Sequence, residues 1–289
     1  MSCLSRASAV LPLAGGITNR NYRVRTADGD QVVRLSDPES SDLAIDRENE
    51  YRNSVAAAAS GAAPEVTDYL PGEGVLVVAW VEGRTFNEDD VGSAANLPRI
   101  AEVCRVLHSG PAFVNGFDMF DIQARYLSLV RERGFRLPPR YEEFAPQVER
   151  MKAAMAISPE ARVPCNNDLL AANIIDDGAR LWLIDYEYSG NNEASFELGN
   201  IWSESTLPED ALDVLVSSYW QRDDPAKVAR ARLWALISKY GWMLWASIQA
   251  SVSPIDFDYW TWGLEKYDRA VAEFDGARFE GWLDAVAGA

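Results

Sequence analysis

Three residues of this chain have the types and the spacing to do chemistry together: Asp168, Asn173 and Asp185. They lie in residues 164–190, P-C-N-N-D-L-L-A-A-N-I-I-D-D-G-A-R-L-W-L-I-D-Y-E-Y-S-G. This is the D-x-x-x-x-N … D pattern of phosphoryl transfer. One Asp receives the proton of an attacking hydroxyl, while Asn and a second Asp hold magnesium on the nucleotide phosphates. The residue types suit the task, because Mg²⁺ is a hard cation that prefers carboxylate and amide oxygen to nitrogen or sulfur. Asn-Asn-Asp alone would also cap a turn. The apolar strand that ends at Asp185 puts a second metal position where the pattern needs it.

To hold those groups, the stretch must form a loop, a short apolar strand, a turn at Asp177-Gly178 and a second apolar strand ending in acids. The segment before it reads as a β-rich lobe. Residues 11–25, L-P-L-A-G-G-I-T-N-R-N-Y-R-V-R, are strand, Gly15-Gly16 turn, strand; Asp28-Gly29 turns the chain again and residues 31–35 return. A glycine pair followed by Thr18, Asn19 and Asn21 brings backbone N–H groups and small polar side chains close to an anion. Arg34 sits on the next strand, and its bidentate fork can grip phosphates. Residues 42–60 read as a helix with Leu43, Ile45, Tyr51 and Val55 as apolar positions and Gly61 closing it. Either Glu48 or Glu50 on it could pair with Arg34. A strand, a Pro71-Gly72 turn and the apolar run before Gly83 then lead to a hinge between two lobes, with the backbone near Ala79, Trp80 and Val81 open to an adenine edge.

From Asn96 onward the pattern is mainly helical, over 97–107, 122–133, 141–155, 211–220, 225–249, 257–274 and 279–286. His108 is the only histidine, which all but excludes a histidine triad or a zinc site built on histidines and leaves it a helix-end packing or capping role. Cys3, Cys104 and Cys165 are scattered, suggesting neither a disulfide framework nor a metal cluster, as in a reducing cytoplasm. No apolar stretch is long enough to span a bilayer. The net charge of −17 disfavours nucleic acid and anionic membranes and favours a cationic partner.

Three blocks carry a resemblance: G-G-I-T-N-R-N-Y-R at 15–23, C-N-N-D-L-L-A-A-N at 165–173 with L-I-D-Y-E-Y-S-G at 183–190, and Y-G-W-M-L-W-A-S-I-Q at 240–249. With these the chain resembles the bacterial choline/ethanolamine kinases, within the aminoglycoside-phosphotransferase group of protein-kinase-like folds. The resemblance implies an α+β, two-lobed fold: a small β-rich nucleotide-binding lobe over residues 1–82 and a larger, mostly helical catalytic and substrate-binding lobe over 83–289. It implies ATP and Mg²⁺, with Gly16, Thr18, Asn19, Arg34, Glu50, Trp80 and Val81 toward the nucleotide. It makes Asp168 the catalytic base, Asn173 and Asp185 magnesium ligands and Glu187 an accessory acid. The run I-D-R-E-N-E at 45–50 favours Glu50 over Glu48 as the partner of Arg34. One position departs from the family: where it usually reads His-Asn-Asp, this chain reads Asn166-Asn167-Asp168.

The C-terminal helices are rich in aromatic residues. Trp242 and Trp245 share a helix face, Phe257, Tyr259, Trp260 and Trp262 follow, and Tyr188 stands just past Asp185. Aromatic faces hold a quaternary ammonium at about 0.5–2 kcal/mol per contact. The resemblance places Tyr188, Trp242, Trp245, Phe257 and Trp262 around choline, with Glu204 adding a negative charge and Asn200 one helical turn before it. The expected activity is ATP-dependent phosphorylation of a small cationic amino alcohol, choline first. Ethanolamine, an aminoglycoside or a sugar is the alternative acceptor, and a weakly active choline-binding pseudokinase, suggested by Asn166, is the alternative class.

Overall fold

The computed structural model describes residues 6–13, 19–36 and 43–288. Five strands, β1 (Ala7–Leu13), β2 (Arg20–Thr26), β3 (Gln31–Leu35), β4 (Val66–Leu70) and β5 (Val75–Ala79), form an antiparallel sheet ordered β1-β2-β3-β5-β4. Side chains alternate across a strand, so each face has its own set. Val24, Val33, Val75 and Val77 make a small core on one face. Asn21, Val32, Arg34, Leu76 and Val78 face a cleft on the other, with Arg34 directly opposite Asn21 and Leu76 in the ladder. The sheet therefore presents one cation on an otherwise largely apolar wall.

Helix α1 (Arg47–Ser60) begins where the Asp46 side chain accepts the backbone N–H groups of Glu48 and Asn49, and stops at Gly61 in the left-handed conformation. The predicted start at Asp42 lies outside the described residues. Leu43, predicted as a helical position, instead precedes the helix and is buried in the core of the second lobe, where Tyr126 donates to its carbonyl at 2.6 Å.

Past Gly83 the chain crosses as β6 (Arg84–Thr85), which pairs with β8 (Ile174–Asp176), itself paired with β9 (Leu181–Leu183). A Cβ at Gly83 would lie 2.6 Å from the Asp176 carbonyl oxygen, so only glycine lets the connection run this close to the hairpin. The hairpin closes at Asp177, whose side chain accepts from the backbone N–H groups of Ala179 and Arg180, both at 2.8 Å. Beside it, β7 (Arg162–Cys165) pairs with β10 (Gly190–Glu193), so both ends of the 164–190 stretch are pinned to each other.

The rest is helical: α2 (Glu88–Gly92), α3 (Leu97–His108), α4 (Met119–Arg133), α5 (Ala145–Ile157), α6 (Ala194–Glu204), α7 (Glu209–Trp220), α8 (Pro225–Val252), α9 (Tyr259–Phe274) and α10 (Phe279–Ala287). The segment predicted as one helix over 141–155 divides into a 3₁₀ turn (Tyr141–Phe144) and α5, whose first turn contains Pro146. α9 starts two residues after the predicted Phe257, because Asp258 caps it by accepting the Thr261 N–H at 3.0 Å. α8 is buried on all sides from Ala229 to Gln249, with α4, α6, α9 and α10 packed around it. At Gly199 a side chain would overlap the Ala231 carbonyl, so α6 meets α8 backbone to backbone. Among the described residues no helix is long and apolar enough to cross a membrane.

Candidate active site

The loop between β7 and β8 is held by its own polar residues. Asn166 donates to the carbonyls of Ile184 at 3.1 Å and Asp185 at 3.0 Å, and accepts the Asp168 N–H at 3.1 Å. The residue that departs from the usual histidine thus ties the Asp168 loop to the Asp185 strand end. Asn167, at φ 68°, donates to the carbonyls of Cys165, Tyr188 and Gly190. Asn173 donates to the Asp168 carbonyl at 2.7 Å, which leaves its amide oxygen as the group to present to a cation. Asp185 is also left-handed, at φ 66°, a conformation that Asn and Asp tolerate better than most residues.

Arg34 gathers a cluster of carboxylates at the sheet side of the site. Its guanidinium lies 3.0 Å from Glu50, 2.6 Å from Asp185 and 2.9 Å from Glu187. Burial works against its charge, but the carboxylates of Asp185, Glu50 and Glu187 outweigh burial and raise its pKa. Glu187 also accepts from Asn19 at 2.8 Å and from Arg47 at 3.3 Å, and Arg47 reaches Glu50 at 2.7 Å. Glu48 points to solvent and pairs with Arg52.

Two cavities meet here. A cleft of about 330 Å³ runs under the sheet past Arg34, Trp80, Val81, Asn173 and Asp185. A smaller pocket of about 90 Å³ is lined by Asn19, Asp168, Asn173, Asp185 and Glu187 on one side and Tyr188, Glu204, Trp242, Trp245 and Trp262 on the other. Asn173 and Asp185 border both. Burial pushes the Asp168 carboxyl well above the usual carboxylate range, helped by the charges of Asp185, Glu204 and Glu187 and opposed by Lys266. Asp185 is raised likewise by burial, against the pull of Arg34.

The aromatic wall is one connected set. Trp242 packs edge-on against Tyr188 at 5.1 Å between ring centres, and Trp245 against Trp262 at 5.4 Å. The Trp245 indole N–H donates to the Tyr188 hydroxyl at 2.8 Å, fixing both rings.

Several predicted site residues stand elsewhere. Gly16 and Thr18 lie outside the described residues. Phe257 precedes α9, is 41% exposed and packs on Tyr259, away from the pocket. Asn200 is fully buried beneath the loop, donating to the Asn167 carbonyl at 3.3 Å and accepting from Ser238. The N–H groups of Ala79 and Trp80, predicted to be open to a base, are engaged by the carbonyls of Glu65 and Asp30.

The reading from sequence missed Glu197. Fully buried, it accepts the Asn166 N–H at 2.8 Å and the Asn167 N–H at 2.7 Å, one on each oxygen. Glu197, Asn200 and Glu204 fall at i, i+3 and i+7, a single face of α6, and that spacing was the signal. Behind it, His108, Cys165 and Glu197 place ligand-capable atoms within 4.8 Å of one another, although the cysteines gave no expectation of such a grouping. Both Glu197 oxygens are spent on backbone N–H groups, burial drives the Cys165 thiol up and keeps it protonated, and His108 Nδ1 is within 2.8 Å of the Tyr219 hydroxyl. The three serve as a polar brace under the loop.

Mouse ethanolamine kinase 2 is 28% identical to this chain over 263 residues, 80% of this chain and 66% of that protein, so the chain spans just under two thirds of that relative's length. The structure of a choline/ethanolamine kinase family protein from Mesorhizobium loti superposes with a TM-score of 0.86 at 27% identity, covering 98% of this chain and 93% of that one. Choline kinase LicA from Streptococcus pneumoniae superposes at 0.80 with 24% identity, covering 94% and 95%, and shares the kinase-like fold. The choline/ethanolamine kinase family model matches residues 10–222. The chain therefore belongs to the choline/ethanolamine kinase family, phosphotransferases with an alcohol group as acceptor.

Proposed function

We propose that this protein phosphorylates the hydroxyl of a small cationic amino alcohol from ATP, with choline the preferred acceptor. The reading rests on one observation above others: Asn173 and Asp185 stand at the junction of the cleft under the sheet and the aromatic pocket beside Asp168. A nucleotide in the cleft, with Arg34 and Asn19 toward its phosphates and Val81 toward its base, would then meet an acceptor held in the pocket. Residues 1–82 are the proposed nucleotide-binding lobe and 83–289 the catalytic lobe, joined at Gly83. Two buried free thiols, Cys104 and Cys165, agree with a cytoplasmic setting.

Asn173 and Asp185, with Glu187 close by, offer the oxygen donors that suit Mg²⁺, which when bound would offset charge on the phosphates. Tyr188, Trp242, Trp245 and Trp262 hold the ammonium end by their ring faces and aim the hydroxyl at Asp168. Asp168 accepts the hydroxyl proton. Its raised pKa makes it a better base than an ordinary carboxylate once ionised. Arg34, kept charged by three carboxylates, steadies the strand end that carries Asp185.

A second acceptor, ethanolamine, is favoured by one atom. Glu204 Oε1 is buried with no hydrogen-bond partner among the described residues and can accept an N–H that choline lacks. An ADP-release assay with Mg-ATP against choline, ethanolamine, aminoglycosides and sugars decides. The expected result is the highest kcat/KM with choline. A preference for a sugar or an aminoglycoside would overturn the acceptor, and no turnover with any of them would overturn the reaction.

A further inference from the structure

Against the wall of the acceptor pocket stands a cation that belongs to the chain, in contact with two of the lining residues, Glu204 and Trp262. Lys266, on α9, places its ammonium 2.5 Å from Glu204 Oε2 and 4.3 Å from the centre of the Trp262 ring. Trp262 is four residues earlier on the same helix, so the two side chains share a face. Both members of the ion pair are buried, with side-chain exposures of 6% for Lys266 and 2% for Glu204. The second oxygen of Glu204 has no hydrogen-bond partner among the described residues. An ammonium set over an indole and against a carboxylate is how proteins hold alkylammonium guests. Here the guest is tethered.

We propose that Lys266 sets acceptor specificity as an internal cation: it cancels the charge of Glu204, so that an acceptor is drawn by the ring faces of Tyr188, Trp242, Trp245 and Trp262. The proposal rests on the amino-alcohol kinase reading. Its consequence follows from the chemistry of the two ammonium types. Trimethylammonium carries no N–H and gains most from ring faces. A primary ammonium donates N–H bonds and gains most from a free carboxylate. By neutralising Glu204, Lys266 weakens the second kind of attraction and spares the first, which tilts the pocket toward methylated ammonium.

The test is Lys266→Met, which keeps an unbranched apolar stem and removes the charge. Binding of choline, of ethanolamine and of the neutral isostere of choline with tert-butyl in place of trimethylammonium is measured by calorimetry on the full chain. Choline is expected to bind roughly five- to tenfold tighter to the variant, ethanolamine to gain more than choline, and the neutral alcohol to be unchanged. Unchanged or weaker choline binding would overturn the proposal and make Lys266 a structural wall of the pocket.

The double variant Lys266→Met, Glu204→Gln leaves no unpaired buried charge and tests the same idea if the single variant does not fold. It is expected to keep the wild-type ratio of choline to neutral-alcohol affinity. A roughly tenfold fall in that ratio would mean that Glu204 attracts the acceptor despite Lys266, which overturns the cancellation. Wild-type protein that neither binds choline nor releases ADP with any amino alcohol would instead remove the functional reading on which this stands.

Discussion

On the proposed phosphate side of the site, among the described residues, the guanidinium groups of Arg34 and Arg47 meet the carboxylates of Glu50, Asp185 and Glu187, whereas on the proposed acceptor side the Lys266 ammonium meets the Glu204 carboxylate among aromatic rings. Burial is the main cause of the raised pKa of Asp168, and the negative charge of Asp185 and Glu187 in the first arrangement adds to it. The second pairs one ammonium with one carboxylate, and Tyr188, Trp242, Trp245 and Trp262 line the pocket on that side. The contrast fits the proposed division of labour. A group that must meet metal and phosphate needs unbalanced oxygen donors, while one that must meet a poorly hydrated ammonium needs ring faces and little competing polarity.

The sharpest way to break this comparison is at its centre. Asp168→Asn is expected to lower kcat by roughly 10²–10⁴-fold while leaving choline binding intact, read by steady-state kinetics and calorimetry. In the wild type, kcat should fall with decreasing pH at a value well above the ordinary carboxylate range, since the raised carboxyl must lose its proton to act as base. Stability carries the same sign. A carboxyl whose folded pKa is raised contributes stability below its unfolded pKa and loses it as pH rises through the folded value. At neutral pH Asp168→Asn should therefore melt at a higher temperature than wild type; a lower melting temperature would contradict the electrostatic reading.

The next effect tests the phosphate side alone. Arg34→Met takes the Arg34 cation from Asp185 and leaves Glu50 and Glu187 to Arg47, and is expected to cost about 3–5 kcal/mol of unfolding free energy by denaturant titration. Glu48→Gln, on the exposed turn of α1, is the control and should cost under about 1 kcal/mol.

Asn166→Ala removes two donors from the carbonyls of Ile184 and Asp185 and should cost about 1–3 kcal/mol, with a fall in kcat larger than any change in choline KM. Full kcat in that variant would show that Asn166 has no part in positioning the loop. The smallest effect belongs to the acceptor side. Trp245→Ala should raise the choline KM roughly two- to thirtyfold, with kcat little changed, because one ring contact and its bond to Tyr188 are lost. An unchanged KM would detach the aromatic wall from the acceptor and dissolve the comparison.

The phosphate side was more legible in the sequence than the acceptor side. Asp168, Asn173 and Asp185 flank one hairpin, whose turn residues and apolar strands are local signals, and the link between Asn173 and the Asp168 backbone spans only five residues. The acceptor side is assembled from α6, α8 and α9 and the end of the loop. There the reading put Phe257 in the pocket, where it is an exposed residue before the Asp258 cap, and Asn200 beside the substrate, where it is a strut under Asn167. Glu197 carries no local mark of its burial, which follows from the closeness of α6 to α8.

By itself the sequence determined the donor types at the chemical centre, the hairpin that carries them and the alternation that turns Arg34 and Val33 to opposite faces of the sheet. These follow from rules that act over a few residues: side-chain period, cap chemistry and turn chemistry. The tertiary structure alone decided that Glu197, with His108 and Cys165 behind it, braces the loop from beneath, and that Lys266 reaches Glu204 from 62 residues away. Such partners are fixed by how helices lie on α8. A helix buried on every side has no polar stripe to reveal which of its faces meets which neighbour.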